Sequence, residues 1–177
     1  WGLWALFLFL GMATKTEFAL LSVAFGLYAL LRRRGWAYAV PPIVAGATWF
    51  YVALFLVVPR FTEGETSFIA GIYSYGYLGN SFGEVARTLL TRPLFVLSQM
   101  LQPPKVRFLL SVLLLSGFLP LLSPAELLLA APTVFLNLIS PNPVQFSPYY
   151  QYQSLVVPFL SVGLLYGLQS LQRFLRR

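Results

Sequence analysis

The chain has 177 residues, of which 58% are hydrophobic and 10% charged, and its net charge is +7. An ordinary soluble domain is about 25% charged, so this chain lacks the polar groups to cover its own surface and needs lipid as a solvent. It has no cysteine and no histidine, which excludes disulfides, thiol catalysis, the usual zinc sites and histidine general bases within these residues.

The acidic residues are Glu17, Glu63, Glu65, Glu84 and Glu126, with no aspartate. Half of the basic residues sit in two clusters, Arg32-Arg33-Arg34 and Arg173, Arg176, Arg177, each beside an apolar run. Clusters placed there read as topology signals rather than as a nucleic-acid footprint. The expected partner is therefore the lipid bilayer, with no nucleic acid.

Residues 1–12 form an apolar run shorter than the ~20 residues that a crossing takes. The run opens at Trp1 without an initiator methionine, so it is expected to be a truncated helix in the C-terminal portion of a longer protein. The polar break Ala13-Thr14-Lys15-Thr16-Glu17 follows. A second apolar segment, 17–31, ends at the triple arginine, whose stems extend it by snorkelling. The third, 35–58, is long enough to cross, with Pro41 and Pro42 near its start where a kink is tolerated.

Residues 59–105 read as an outer, partly interfacial region. Its first part, 61–80, is the least apolar of the chain and is expected to be a water-facing loop carrying Glu63, Glu65, Tyr73, Tyr75 and Tyr77. Residues 81–91 then read as an amphipathic helix lying in the interface, with Phe82, Val85, Leu89 and Leu90 on one side and Glu84 and Arg87 on the other. Further spans are expected at 106–122, 124–139 and 154–171. Ser123-Pro124-Ala125-Glu126 has the capping-box pattern with proline at the first helical position, and Glu126 is assigned that role and no catalytic one. Residues 140–153 read as a second polar, aromatic loop.

Four crossings separate the two arginine clusters, so both are expected on the cytoplasmic side, with the C-terminus. The fold class is thus an all-α, polytopic transmembrane helix bundle with an interfacial helix and extracytoplasmic loops. Three polar segments then meet at the outer face: the Lys15–Glu17 break, the 59–105 region and the 140–153 loop. Arg60, Arg87, Arg92, Lys105 and Arg107 lie in or beside the second of these. Two readings of those charges stay open: contact with an anionic head group or phosphate, or simple tolerance of positive charge in long outer segments.

Lys15 and Glu17 also leave two readings. Ionisable groups near the membrane core are costly and are kept for function; alternatively the pair is a wet turn with a snorkelling lysine and a first-turn glutamate favouring the helix dipole. The clusters Tyr73-Ser74-Tyr75-Gly76-Tyr77 and Tyr149-Tyr150-Gln151-Tyr152-Gln153 suit sugar rings or lipid head groups, and equally an interfacial aromatic belt. No metal site is indicated.

These residues, in this order, resemble the bacterial predicted membrane proteins grouped as domain of unknown function 2079. The resemblance runs through Lys15-Thr16-Glu17, the arginine run, Tyr75-Gly76-Tyr77-Leu78-Gly79 and Leu89-Leu90-Thr91-Arg92-Pro93. It continues in Pro124-Ala125-Glu126-Leu127-Leu128 with Pro132, Asn137-Leu138-Ile139-Ser140, Tyr150-Gln151-Tyr152 and Val157-Pro158-Phe159. The chain departs from the family at Tyr149 and Gln151, where histidines are frequent, and at Thr16-Glu17, where the family motif has an acidic pair.

That family is similar to the type-C (GT-C) membrane glycosyltransferases. The resemblance implies a protein of the cell (inner or plasma) membrane that moves a sugar from a polyprenyl-phosphate donor at the extracytoplasmic face. It implies main catalytic acids outside the present residues and leaves a divalent metal open as cofactor. On that reading Lys15, Arg60, Arg92 or Lys105 contacts phosphate and Glu17 orients Lys15 or a metal. Tyr75, Tyr77, Tyr150, Gln151 and Tyr152 line the sugar pocket. The alternatives are a transporter or lipid-binding protein without covalent chemistry, and a structural scaffold.

Overall fold

The computed structural model describes residues 2–61 and 75–176. Among the described residues every regular element is helical. The main helices are α1 (Gly2–Thr14), α2 (Glu17–Leu31), α3 (Trp36–Phe61), α4 (Phe82–Thr91), α5 (Pro93–Met100), α6 (Pro103–Leu115), α7 (Pro124–Ile139) and α8 (Val157–Leu175). Short 3₁₀ turns occupy Tyr75–Tyr77, Leu119–Leu122 and Gln151–Gln153. Glu63, Glu65 and Tyr73, with most of the expected 61–80 loop, lie outside the described residues.

The helix starts follow local chemistry. Proline sits in the first turn of α5, α6, α7 and α8, where its missing N–H costs nothing. Helix α4 is capped by Ser81, whose Oγ accepts from the Glu84 N–H at 3.2 Å, while the Glu84 carboxylate reaches back to the Asn80 N–H at 2.8 Å. The same spacing at Ser123–Glu126 does not make a capping box. There the Ser123 hydroxyl donates instead to the carbonyls of Pro120 (3.0 Å) and Gly163 (2.7 Å), and Glu126 is drawn into an ion pair described below.

Small residues bring α2 and α3 together. Ala19, Ser22 and Gly26 face Ala39, Pro42 and Gly46, all buried. A Cβ on Gly26 would meet the Ala39 carbonyl and the Ile43 side chain, and one on Gly46 would meet the Ala19 carbonyl. The Ser22 hydroxyl donates across the pair to the Pro42 carbonyl at 2.7 Å. Close backbone approach with a polar cross-link is how helices associate where no hydrophobic force separates them from their solvent. On its other flank α2 packs on α7, with Leu21, Ala24, Leu129 and Leu155 at the centre and Phe25 edge-on to Phe159. Ala130, Val156 and Leu160 join α7 to α8. Trp49 ties α3 to α1 by donating its Nε1–H to the Met12 carbonyl at 2.8 Å.

Residues 106–122 do not form one helix. Helix α6 begins earlier, at Pro103, and stops at Leu115. Gly117 (φ 59°) and Phe118 (φ 58°) then turn the chain through the left-handed region, which glycine enters freely and phenylalanine does not. The following 3₁₀ turn seats against Gly163 and Gly167 of α8, where added side chains would meet Pro120 and the Leu119 carbonyl. By length and composition, Trp36–Phe61, with 26 residues, is the one helix among the described residues able to cross a membrane; Glu17–Leu31 and Pro124–Ile139 are shorter apolar helices. A π-helical stretch, Ala53–Val57, lies inside that long helix.

Candidate functional site

The break between α1 and α2 places two charges at the head of α2. Lys15 Nζ lies 2.8 Å from Glu17 Oε2, and both side chains are partly buried. The ammonium also sits over the Tyr152 ring, 5.2 Å from its centre. Tyr152 belongs to the 140–153 loop, which is bound up with itself. Gln153 Nε2 donates to the carbonyls of Gln145 (3.0 Å) and Ser147 (3.4 Å), and Asn142 and Val144 N–H groups go to Ser140 Oγ and Asn142 Oδ1 at 3.1 Å. The Tyr152 carbonyl takes a long bond, 3.5 Å, from buried Asn137 on α7. So the loop is fixed over the N-terminal end of α2 and the C-terminal end of α7, with one aromatic face presented to Lys15.

Beneath this pair lies a cavity of about 600 Å³ between α2, α3, α4 and α7. Its walls are apolar, with Leu20, Ala24 and Leu27 from α2, Leu54 from α3, Leu89 from α4 and Phe135 from α7. Its polar lining comes from Lys15, Thr16, Glu17, Tyr75 and Gln145. These sit toward one end, because Lys15 and Glu17 head α2 while Tyr75 packs against the cluster that holds Ile139, the last residue of α7. From Glu17 to Leu27 the rise of α2 gives a depth of ~15 Å. The volume is in the range of small-molecule sites, and the lining is apolar along most of its length with polar groups at one end.

The expected site residues divide. Lys15, Glu17 and Tyr75 line the cavity and Tyr152 overhangs it. Tyr77 stands aside, its hydroxyl donating to the Ile139 carbonyl; burial pushes that phenol up to about 12. Lys105 is 2% exposed, donates to the Gln99 carbonyl at 3.0 Å and lies over Phe146. Burial lowers its pKa. It is packed under the 140–153 loop, outside the cavity. Arg60, at the end of α3, and Arg92, between α4 and α5, are exposed, as are Tyr150 and Gln151. Among the described residues no three His, Cys, Asp or Glu side chains come together, so the described donors do not fit a protein-held divalent ion.

Two features were not read from the sequence. Gln145 is one of four side-chain amides in a proline-rich loop, with no spacing signal, yet it is buried and lines the cavity. At the opposite end of α2, Glu126 is 1% exposed and its Oε1 accepts from Arg32 and, at 3.2 Å, from the Tyr28 hydroxyl. The Arg32 guanidinium lies over the rings of Tyr28 and Tyr166, at 5.7 and 5.2 Å. This cluster joins α2, α7 and α8 and brings the first arginine cluster beside the helix that carries the second.

The family model described as "Predicted membrane protein (DUF2079)" matches residues 1–177. No curated protein and no solved structure matches the chain.

Proposed function

The chain belongs to the DUF2079 family of predicted membrane proteins, and from that premise we propose that it is a multi-pass protein of the cell membrane that transfers a sugar from a polyprenyl-phosphate donor at the extracytoplasmic face. The observation that carries this reading is the apolar slot whose polar mouth holds Lys15 and Glu17. A lipid-linked donor has the same division, an apolar tail and an anionic head.

Several features support the multi-pass arrangement. Leu27 and Leu31 on α2, Val44 and Phe55 on α3, and Leu165 and Leu168 on α8 are all exposed, as expected of surfaces that face hydrocarbon. Helices α2 and α7 carry only end charges, Glu17 and Glu126. Arg33, Arg34, Arg173 and Arg176 are exposed at the far end from Lys15, which fits a cytoplasmic basic side.

At the mouth, the Lys15 ammonium is a point charge suited to phosphate and to the charge that develops on the leaving phosphate during transfer. Tyr152 and Tyr75 offer faces to a sugar ring. An inverting transfer also needs a carboxylate to take the acceptor's proton. Glu17 is the carboxylate at this mouth, and the main catalytic acids implied by the GT-C likeness belong to other residues. One observation favours the second reading, lipid binding without covalent chemistry: the Glu17 carboxylate is already engaged by Lys15 at 2.8 Å. Labelled-sugar transfer in membranes from cells with and without the gene tests the two. Loss of transfer without the gene supports the enzyme; equal transfer with every lipid-linked donor tried rejects it.

A further inference from the structure

A transferase acting on lipid-linked sugar must distinguish the loaded donor from the bare lipid phosphate that it leaves behind. Resting on the reading of the cavity as a lipid-donor site, we infer that Gln145 makes this distinction, by hydrogen-bonding a hydroxyl of the sugar next to a phosphate held at Lys15.

Gln145 offers the cavity an amide that is not engaged elsewhere among the described residues. Gln145 is 2% exposed and lines the cavity, and its side-chain amide makes no hydrogen bond among the described residues. Other buried polar side chains nearby make bonds: Ser22 to Pro42, Asn137 to Tyr152, Lys105 to Gln99 and Ser140 to Asn142; Gln153 is bonded through its Nε2, while its Oε1 has no partner among the described residues. The Gln145 amide atoms are not among the buried atoms that lack a partner, so they keep open space beside the cavity they line, where a bound molecule can reach them.

The backbone around it is held firmly. The Gln145 N–H donates to the Asn142 carbonyl at 3.0 Å, and its own carbonyl accepts from Gln153 Nε2 at 3.0 Å. Gln153 is itself buried and acts as a positioning residue. The side chain is thus presented from a fixed base.

The chemistry of the mouth then sorts the ligand. Lys15 supplies only donors and a positive charge, which suits phosphate oxygens. The Gln145 amide supplies two donors and an acceptor, which suits a group that both donates and accepts. A sugar hydroxyl does both; a phosphate oxygen only accepts. Sites built to bond a hydroxyl reject the analogue lacking it, because the site's own polar group is left stranded.

The test uses the purified protein in detergent and two radiolabelled probes: a hexosyl polyprenyl phosphate and the same polyprenyl phosphate without sugar. Wild type is expected to prefer the first. Gln145→Leu is expected to weaken the glycosylated probe about 10-fold and to leave the bare phosphate within about twofold, which also reports an intact fold. Lys15→Ala is expected to weaken both. An equal effect of Gln145→Leu on the two probes, or no effect on either, overturns the inference. Should Gln145→Leu bind neither probe, Gln145→Met, closer in length, repeats the measurement, and a second loss of both overturns it as well. Failure of wild type to bind either lipid sinks the underlying reading and the inference together; sugar transfer that continues unchanged in Gln145→Leu sinks the inference alone.

Discussion

At one end of α2, Arg32 meets a glutamate 94 residues away; at the other, Lys15 meets a glutamate two residues away. The inner pair bridges α2 and α7, rests against Tyr166 of α8, and buries its carboxylate completely. The outer pair joins no two helices, and both of its side chains keep some exposure. A long-range pair with a buried carboxylate fixes geometry, since Arg32 cannot leave without stranding the Glu126 charge. A local pair with both partners partly exposed contributes little to stability, and on the proposed function it is the end where an incoming anion would replace Glu17. The same helix is therefore clamped at its Arg32 end and only locally paired at its Lys15 end.

The largest expected effect lies within the clamp, and it is asymmetric. Arg32→Met leaves the 1%-exposed Glu126 as an unpaired buried carboxylate, with only the Tyr28 hydroxyl beside it. The expected cost is about 3–5 kcal/mol in thermal or denaturant unfolding in detergent. Glu126→Gln leaves a guanidinium whose side chain is 38% exposed and can reach water, at about 1–2 kcal/mol. Equal losses for the two variants would show that burial of the carboxylate is not what makes the inner pair strong.

Next in size is the α2–α3 seam, which sets where both ends of α2 sit. Gly46→Ala drives a methyl group into the Ala19 carbonyl, a backbone atom that cannot swing away. The expected loss is about 1–3 kcal/mol in the same unfolding measurement. An unchanged midpoint would mean that the seam is looser than its small-residue packing implies.

At the outer end the two readouts separate. Lys15→Ala is expected to cost less than about 1 kcal/mol of stability while lowering affinity for a lipid phosphate about 10-fold or more. Unfolding measured beside equilibrium binding checks both. A stability loss as large as that of Arg32→Met would erase the contrast between the two ends.

The sequence carried the all-helical character and the punctuation well. Proline starts, the arginine stop at 32–34 and the polar break at 15–17 act over a few residues, and local chemistry decides them. It carried the long-range pairings poorly. Ser123 and Glu126 have the spacing of a capping box, but Gly163 offers the serine a carbonyl and Arg32 offers the glutamate a cation, and both partners are far away along the chain. The run 106–122 looks uniformly apolar, so its break depends on backbone angles at Gly117 and Phe118 that hydropathy does not register. Among the candidate site residues, Lys15 and Glu17 stood out as charges at a membrane boundary. Gln145 did not, because its meaning comes from burial against a cavity wall. Arg60 and Arg92 carried the right charge for phosphate; both are exposed and neither lines the cavity.

Lys105 sharpens the comparison from a third position and with the smallest effect. It is a buried cation with no glutamate, only the Gln99 carbonyl and the Phe146 ring, so it shows what α2's cations would experience without their partners. Burial holds its pKa below the ordinary value of 10.5. Between that lowered value and 10.5 the unfolded chain binds more protons than the folded one, so stability associated with this residue rises as pH rises through that window. Below the window the charged ammonium is a standing penalty in the folded protein. Lys105→Met removes the penalty and is expected to raise the unfolding midpoint slightly at neutral pH, with the advantage shrinking as the pH approaches 10.5. Midpoints of wild type and variant across that range measure it. A gap that widens with pH would mean that the ammonium is stabilised where it lies, and that a carbonyl and an aromatic face serve a buried cation as well as the carboxylate of Glu126 does.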